Sequence, residues 1–385
     1  MSDAVLVVFI DAYPYWALQQ GSRLPALLPI VHAVRPGFGY SINCQTELFT
    51  GLTPDEVNYW CEYSYEPGHG VVRSGALGVL DVFRPWRPPN RAWHKVVDRI
   101  LGVGTKDIPF SYLKYFAKSG KELFASDFPF DSILKRDGVR VFSYKDFPRL
   151  PTPEARDWAI FDAGLDAIED PETRGVVLAL GNLDRVGHWE LPGTEPYWAV
   201  RDAIEQRTIE VIQAFGKNHP DGTIIVLSDH GMSPVDTIVS LDIEGKFGAP
   251  SPERYIYFVE GTILRIWSPD AQLREQLHSY AGGFPDVEVI TPEERIRLGV
   301  SNPSFGDIIA VTHDHAMFVP SFWCVLPSKG MHGYHPRYET GFGIFLCNRP
   351  VGEHDPILEA RQVAGILNAA VPDGKCAAIE PVLVS

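Results

Sequence analysis

Leu227-Ser228-Asp229-His230-Gly231-Met232 sets a carboxylate and an imidazole side by side, directly after the apolar run Thr223-Ile224-Ile225-Val226-Leu227. That run reads as a buried strand. Adjacent residues on a regular strand point to opposite faces, so Asp229 and His230 can converge on one ion only where the strand ends. Gly231 permits the sharp turn that this convergence needs. A strand-end turn with a capping Asp is common, so the reading depends on its company. Asp11 closes a second apolar run, Val5 to Ile10, and Asp184 follows a third, Val176 to Leu180. Gly343-Ile344-Phe345-Leu346 is a fourth run, lying just after a histidine-rich loop.

These runs are continuous and rich in β-branched residues, as in strands buried on both faces of a parallel sheet. Between them the spacing predicts helices over Pro153 to Glu169 and Pro196 to Phe215, with a C-terminal helix from Ile357 to Ala370. The alternation predicts an α/β fold with a mostly parallel central sheet and helices on both faces. Ligands of such sheets sit beyond the carboxyl ends of the strands, where all four motif loops are placed. The catalytic core is read over residues 1–60, 150–250 and 325–385. Residues 60–150, rich in aromatics, Pro and Gly, read as an insertion or cap over the sheet edge. Residues 250–325 read as a small appended α/β subdomain, with a strand at Thr262 to Trp267, a helix at Asp270 to Ala281 and a strand at Val287 to Ile290.

At 385 residues the chain can bury a large core. A net charge of -15 argues against a nucleic-acid-binding surface, though bound cations can still attract an anionic substrate. The cysteines at 44, 61, 324, 347 and 376 form no CxxC pair, so neither a thiolate zinc knuckle nor a disulfide framework is indicated. The N-terminus lacks a basic region, and Val5 to Ile10 is too short for a signal or membrane segment. The expectation is a cytoplasmic protein.

Asp184-x-x-x-His188 offers a carboxylate and an imidazole on one side of a helical turn. Gly330-Met331-His332-Gly333-Tyr334-His335 supplies further imidazoles, although a lone His332 or His335 would more often be an ordinary loop or core histidine. With Asp11, Asp229 and His230, the mixed carboxylate and imidazole inventory suits Zn²⁺ and suffices for two ions. Mn²⁺ or another divalent ion would also fit. His313 and His315, late in the appended subdomain, favour a structural or substrate-contacting role.

Strand–Asp, Thr-Gly-Leu-Thr-Pro (Thr50 to Pro54), Asp184-x-x-Gly187-His188, Ser-Asp-His-Gly-Met and Gly-Met-His-Gly-Tyr occur in an order that resembles the alkaline phosphatase superfamily. Its type I phosphodiesterase/nucleotide pyrophosphatase branch is the most similar. The resemblance runs from Asp11 to about Leu346 and leaves residues 60–150 unplaced. It implies a Ser or Thr nucleophile nine residues before Thr50, which is Ser41. Ser41 also suits a helix N-cap, and Thr46 is the second choice of nucleophile. By position, Asp11, Ser41, Asp229 and His230 would hold one Zn²⁺, and Asp184, His188 and His332 the other.

The resemblance implies that Asn43 holds a non-bridging phosphate oxygen, and that His335 either supports a metal ligand or contacts substrate. Tyr59 and Trp60 could stack on a nucleobase or simply pack the insertion. The chain departs from the branch in reading Ser41-Ile42-Asn43-Cys44, without Pro, and Val57-Asn58-Tyr59 where the branch carries His-Gly. The x-Pro-x-Arg signature of sulfatases is absent.

The resemblance implies a phosphoric ester hydrolase, a phosphodiesterase or nucleotide pyrophosphatase acting on a phosphorylated small molecule. The alternatives are a phosphomonoesterase or phosphonate hydrolase of the same superfamily and, in a different class, a catalytically silent metal-stabilised binding protein.

Overall fold

The computed structural model describes residues 4–370 apart from 85, 103, 120, 121, 126, 127, 171 and 353. Cys376 and the remainder of the expected core beyond residue 370 lie outside the described residues.

A seven-stranded sheet organises the chain. Its strands are β1 (Val5–Ile10), β2 (Ile30–Arg35), β3 (Val139–Phe142), β4 (Gly175–Leu180), β5 (Thr223–Leu227), β10 (Gly343–Cys347) and β11 (Ile357–Glu359). Four further strands, β6 (Ile256–Val259), β7 (Ile263–Trp267), β8 (Val287–Val289) and β9 (Ile308–Thr312), form a separate antiparallel sheet in the order β6-β7-β9-β8. The main sheet runs β11-β2-β10-β5-β1-β4-β3. Only β10 is antiparallel to its neighbours. This reversal matters for the site. The histidine loop precedes β10, so a parallel β10 would carry that loop to the wrong edge of the sheet. Running backwards, β10 begins where β5 ends, with Phe345 opposite Leu227.

The main helices are α1 (Ser41–Thr50), α2 (Arg87–Leu101), α3 (Pro153–Ile168), α4 (Asn182–Trp189), α5 (Glu195–Asn218), α6 (Ala271–Ala281) and α7 (Ala360–Ala370). Every residue of β1 is buried, because both faces are covered. Leu6, Val8 and Ile10 face a core that includes Ile160, Phe161, Leu183, Ile204 and Val211, from α3, α4 and α5. Val5, Val7 and Phe9 face the other core, with Leu48, Phe49, Val363 and Leu367 from α1 and α7. The period of two along β1 thus sorts the helices into two layers.

The sheet differs from the expected one in three strands. β2 and β3 were not anticipated, and Ile357–Glu359 is a strand rather than the start of α7. Residues of the 60–150 segment divide between two jobs. Leu123, Phe128 and Ile133 pack on the main sheet beside β3. Tyr63, Phe110, Tyr112 and Phe116 instead pack with Tyr255 and with Phe258 and Trp267 of the second sheet. No helix among the described residues is long and apolar enough to cross a membrane.

Candidate metal centre and active site

Asp11 stands at the end of β1, where its backbone N–H still donates to Leu180 O at 3.0 Å. Ala12 then turns sharply at φ 59°, a left-handed conformation that is costly for a residue with a Cβ. The turn aims the Ala12 N–H at Asp229 Oδ1, 3.4 Å away. At the end of β5, Gly231 fits against backbone alone, and a Cβ there would meet Thr340 O at 2.4 Å. Two strand-end turns therefore converge, and the structure brings Asp11, Asp229 and His230 into one cluster. His230 Nε2 lies 3.5 Å from Asp11 Oδ1 and 3.4 Å from Asp229 Oδ2.

The second cluster joins Asp184, His188 and His332. Asp184 and His188 lie one turn apart on α4, and Asp184 Oδ1 is 3.4 Å from His188 Nε2 and 3.5 Å from His332 Nε2. The buried Asp157 carboxylate of α3 accepts the backbone N–H groups of Gly181 and Asn182, both at 3.0 Å, and so fixes the start of α4. His188 Nδ1 sits 3.0 Å from Gly330 O, and His230 Nδ1 sits 2.9 Å from Gly231 O. Each carbonyl requires the proton on Nδ1, which leaves the Nε2 lone pair facing its cluster. The rings of His230 and His332 stack with centroids 3.9 Å apart, which holds the clusters side by side.

Ser41 is the first residue of α1 rather than its cap, since Tyr40 is the N-cap. Its Oγ instead lies 3.0 Å from His230 Nε2. Gln45, one turn on, donates to Asp11 Oδ2 at 3.0 Å.

Burial, and then the nearby carboxylates of Asp229 and Asp184, push the Asp11 carboxyl well above the usual range. Burial also raises that of Asp229. Burial works upward on Asp184 too, but His188, His332 and His230 hold it below the ordinary value. Burial drives His332 well below a normal imidazole. Three carboxylates this close, Asp229 buried and Asp11 and Asp184 partly so, oppose one another, and cations relieve that opposition. The polar atoms agree. Asp11 Oδ1, Asp184 Oδ1, Asp229 Oδ2 and His332 Nδ1 are buried with no hydrogen-bond partner among the described residues. Two clusters of mixed carboxylate and imidazole donors with unmatched oxygens fit divalent cations such as Zn²⁺.

A cavity of about 370 Å³ opens over the clusters, within the range of small-molecule sites. Ser41, Gln45, Asp184, His188 and His332 line its floor, and Lys106, Lys118 and Glu62 line its wall. Glu62 pairs with Lys106 and lies 3.6 Å from Lys118. Lys106 adopts a left-handed φ of 51°.

Four expected substrate contacts lie elsewhere. Asn43 is buried and donates to Phe38 O at 3.0 Å. Trp60 is fully buried beside Phe38, and Tyr59 shares a 2.7 Å hydrogen bond with Thr46. His335 has both nitrogens engaged, Nε2 with Glu294 Oε1 at 2.9 Å and Nδ1 with the Arg337 N–H at 3.1 Å. None of the four lines the cavity, and Tyr59 and Trp60 are buried. His315 contacts Pro234 O and Asp314, and neither it nor His313 joins a cluster. Sequence reasoning missed Gln45, which its four-residue offset from Ser41 would have shown. It also missed Lys106, Lys118 and Trp323, which line the cavity too and for which the local sequence carries no signal.

No protein-family model matches the sequence, and no curated protein matches it. Solved structures do match in shape. Human ectonucleotide pyrophosphatase/phosphodiesterase 5 superposes with a TM-score of 0.61 at 15% identity, over 96% of this chain and 94% of that one. An inactive variant of the murine protein in complex with AMP gives 0.61 at 16%, with the same coverage. Phosphonoacetate hydrolase from Sinorhizobium meliloti in complex with phosphonoacetate gives 0.59 at 17%, over 95% of each chain. The chain therefore has the alkaline phosphatase-like fold, with two His/Asp clusters able to hold metal at the ends of its central strands.

Proposed function

We propose that the chain is a metal-dependent hydrolase that uses Ser41 to attack phosphorus, acting as a phosphodiesterase or nucleotide pyrophosphatase on a small anionic substrate. The observation that carries this reading is the position of Ser41 Oγ, 3.0 Å from His230 Nε2 and at the floor of a cavity over both clusters. Asp11, Asp229 and His230 would hold one divalent ion and Asp184, His188 and His332 a second. Ions bound there lower the pKa of a hydroxyl and offset charge on entering and departing oxygens.

The chain's own residues account for the rest. Ser41 opens α1, where unpaired backbone N–H groups favour the non-bridging phosphate oxygens. Gln45 orients Asp11. The Ser41 hydroxyl gives up its proton to solvent and its Oγ–P bond forms as the P–O bond to the leaving group breaks, giving a serine ester of the retained phosphoryl group that water then hydrolyses. Lys106 and Lys118 stand on the cavity wall, where they share Glu62 and neighbour Glu122 and Glu260; an anionic group beyond the attacked phosphorus would take these two lysines from Glu62. A pyrophosphate has such a group. So does a phosphonate with a carboxylate, and the same lysines favour phosphonate hydrolysis as the second reading.

The test is hydrolysis of AMP p-nitrophenyl ester, bis-p-nitrophenyl phosphate, p-nitrophenyl phosphate and phosphonoacetate by zinc- or manganese-loaded protein. The reading predicts fastest turnover of the first, abolished by Ser41→Ala with the fold intact. Preference for phosphonoacetate would select the second reading. No hydrolysis of any, with metal bound, would leave a binding protein.

A further inference from the structure

A second cavity, of about 460 Å³, adjoins the catalytic one. The two share Lys106 and Trp323 as a common wall. Trp323 lies with its ring centroid 4.9 Å from that of His188. Trp189, next in sequence to His188, lines the second cavity while remaining 51% exposed. Its indole makes no ring contact among the described residues. A large aromatic surface left open at a cavity rim is a ready stacking platform. Arg91 and Lys95, one turn apart on α2, also line this cavity, and neither forms an ion pair among the described residues. Asp98, one turn further, is held by the Thr105 N–H and hydroxyl, both at 2.6 Å.

We propose that this second cavity is the leaving-group pocket, binding a planar ring that carries a phosphate, as in a nucleoside monophosphate. The proposal rests on the hydrolase reading and extends it. Ser41 contacts His230 of the first cluster, and an in-line displacement sends the leaving group away from the nucleophile, toward Asp184, His188 and His332. Trp323 flanks that side and separates the cavities. The ring stacks on Trp189 and Trp323, and its phosphate meets Arg91 and Lys95, since Lys106 is paired with Glu62; Asp98 and Asp107 also line the cavity. Diadenosine pyrophosphate and AMP p-nitrophenyl ester offer the same adenylyl group for attack but differ in what leaves, AMP or p-nitrophenolate. Only the former fills the second cavity.

Two measurements on the metal-loaded full chain test this. First, AMP is titrated by tryptophan fluorescence with saturating inorganic phosphate present to occupy the catalytic cavity. Saturable quenching is expected, weakened about tenfold in the R91A/K95A double variant. No saturable binding, or the same affinity in the variant, overturns the proposal. Second, the ratio of KM for diadenosine pyrophosphate to that for AMP p-nitrophenyl ester should rise about tenfold in the same variant. An unchanged ratio also overturns it. Should neither compound be hydrolysed, the hydrolase reading fails, while the AMP titration still decides whether the cavity binds the nucleotide.

Discussion

Replacing Gly231 with alanine should damage the site through the backbone alone. A Cβ on Gly231 would lie 2.4 Å from Thr340 O, 2.8 Å from Phe342 O and 3.1 Å from the Gly341 carbonyl carbon. Ordinary contact begins near 3.4 Å, so Thr340 O falls short by about 1.0 Å. All three atoms are main chain, and no side chain can swing away. The strain must move either the turn before β10 or the turn after β5. The first movement stretches the 2.8 Å hydrogen bond from Gly231 N to Gly341 O. The second moves Gly231 O, which fixes His230 Nδ1, and with it the 3.0 Å contact between His230 and Ser41. A displacement near 1 Å in a catalytic constellation costs roughly 100-fold in rate, and overpacking costs about 1–3 kcal/mol of stability. Urea unfolding and kcat/KM on AMP p-nitrophenyl ester would measure both for Gly231→Ala. Gly341→Ala is the matched control, because a Cβ there meets nothing within 4 Å. Wild-type stability and turnover in Gly231→Ala would refute the claim that backbone crowding sets the His230 position.

Three other substitutions probe different layers. Burial pushes the Asp157 carboxyl up to about 7 despite its two backbone donors. Folded chains thus keep a proton there that unfolded chains release near pH 4, so this group makes stability fall as pH rises from about 4 to 7 and adds no slope above. Asp157→Asn should flatten that part of the profile, measured by denaturant midpoints across pH; an unchanged slope would contradict the assignment. Gly365→Ala in the exposed stripe of α7 has open space around it and should stabilise by about 0.5–1 kcal/mol, read from the urea midpoint. Lys118→Ala should raise KM for diadenosine pyrophosphate by roughly 3–10-fold through loss of cavity charge, checked by steady-state kinetics.

The parts of the fold visible in sequence were those in which burial on both faces leaves a continuous apolar run, as in β1, β4, β5 and β10. β2 reads Ile-Val-His-Ala-Val-Arg and is only half covered, so it lacks that signature. β3 is four residues with an arginine among them. The reversal of β10 has no local mark, although the position of the histidine loop before that strand demands it. Within the site, strand-end acids are legible because the sheet edge fixes where they go. Distances along a helix are less forgiving. Asn43 lies two residues past Ser41, roughly 200° round the helix, and therefore faces the core rather than the cavity. Gln45, four residues past, returns to the same side. His335 was assigned by adjacency to His332, yet Glu294, distant in sequence, claims its ring. Lys106, Lys118 and Trp323 reach the cavity by long-range packing of segments whose local patterns carry no trace of it.

The central claim is that two clusters of carboxylate and imidazole each hold a divalent ion beside Ser41. Metal stoichiometry tests it most directly, by elemental analysis of zinc-loaded, desalted protein with folding checked by circular dichroism. The account predicts two ions per chain in the wild type, one for each cluster, and loss of one in Asp229→Ala and in Asp184→Ala. A folded wild-type chain that retains no divalent ion, or variants that keep the wild-type stoichiometry, would contradict it.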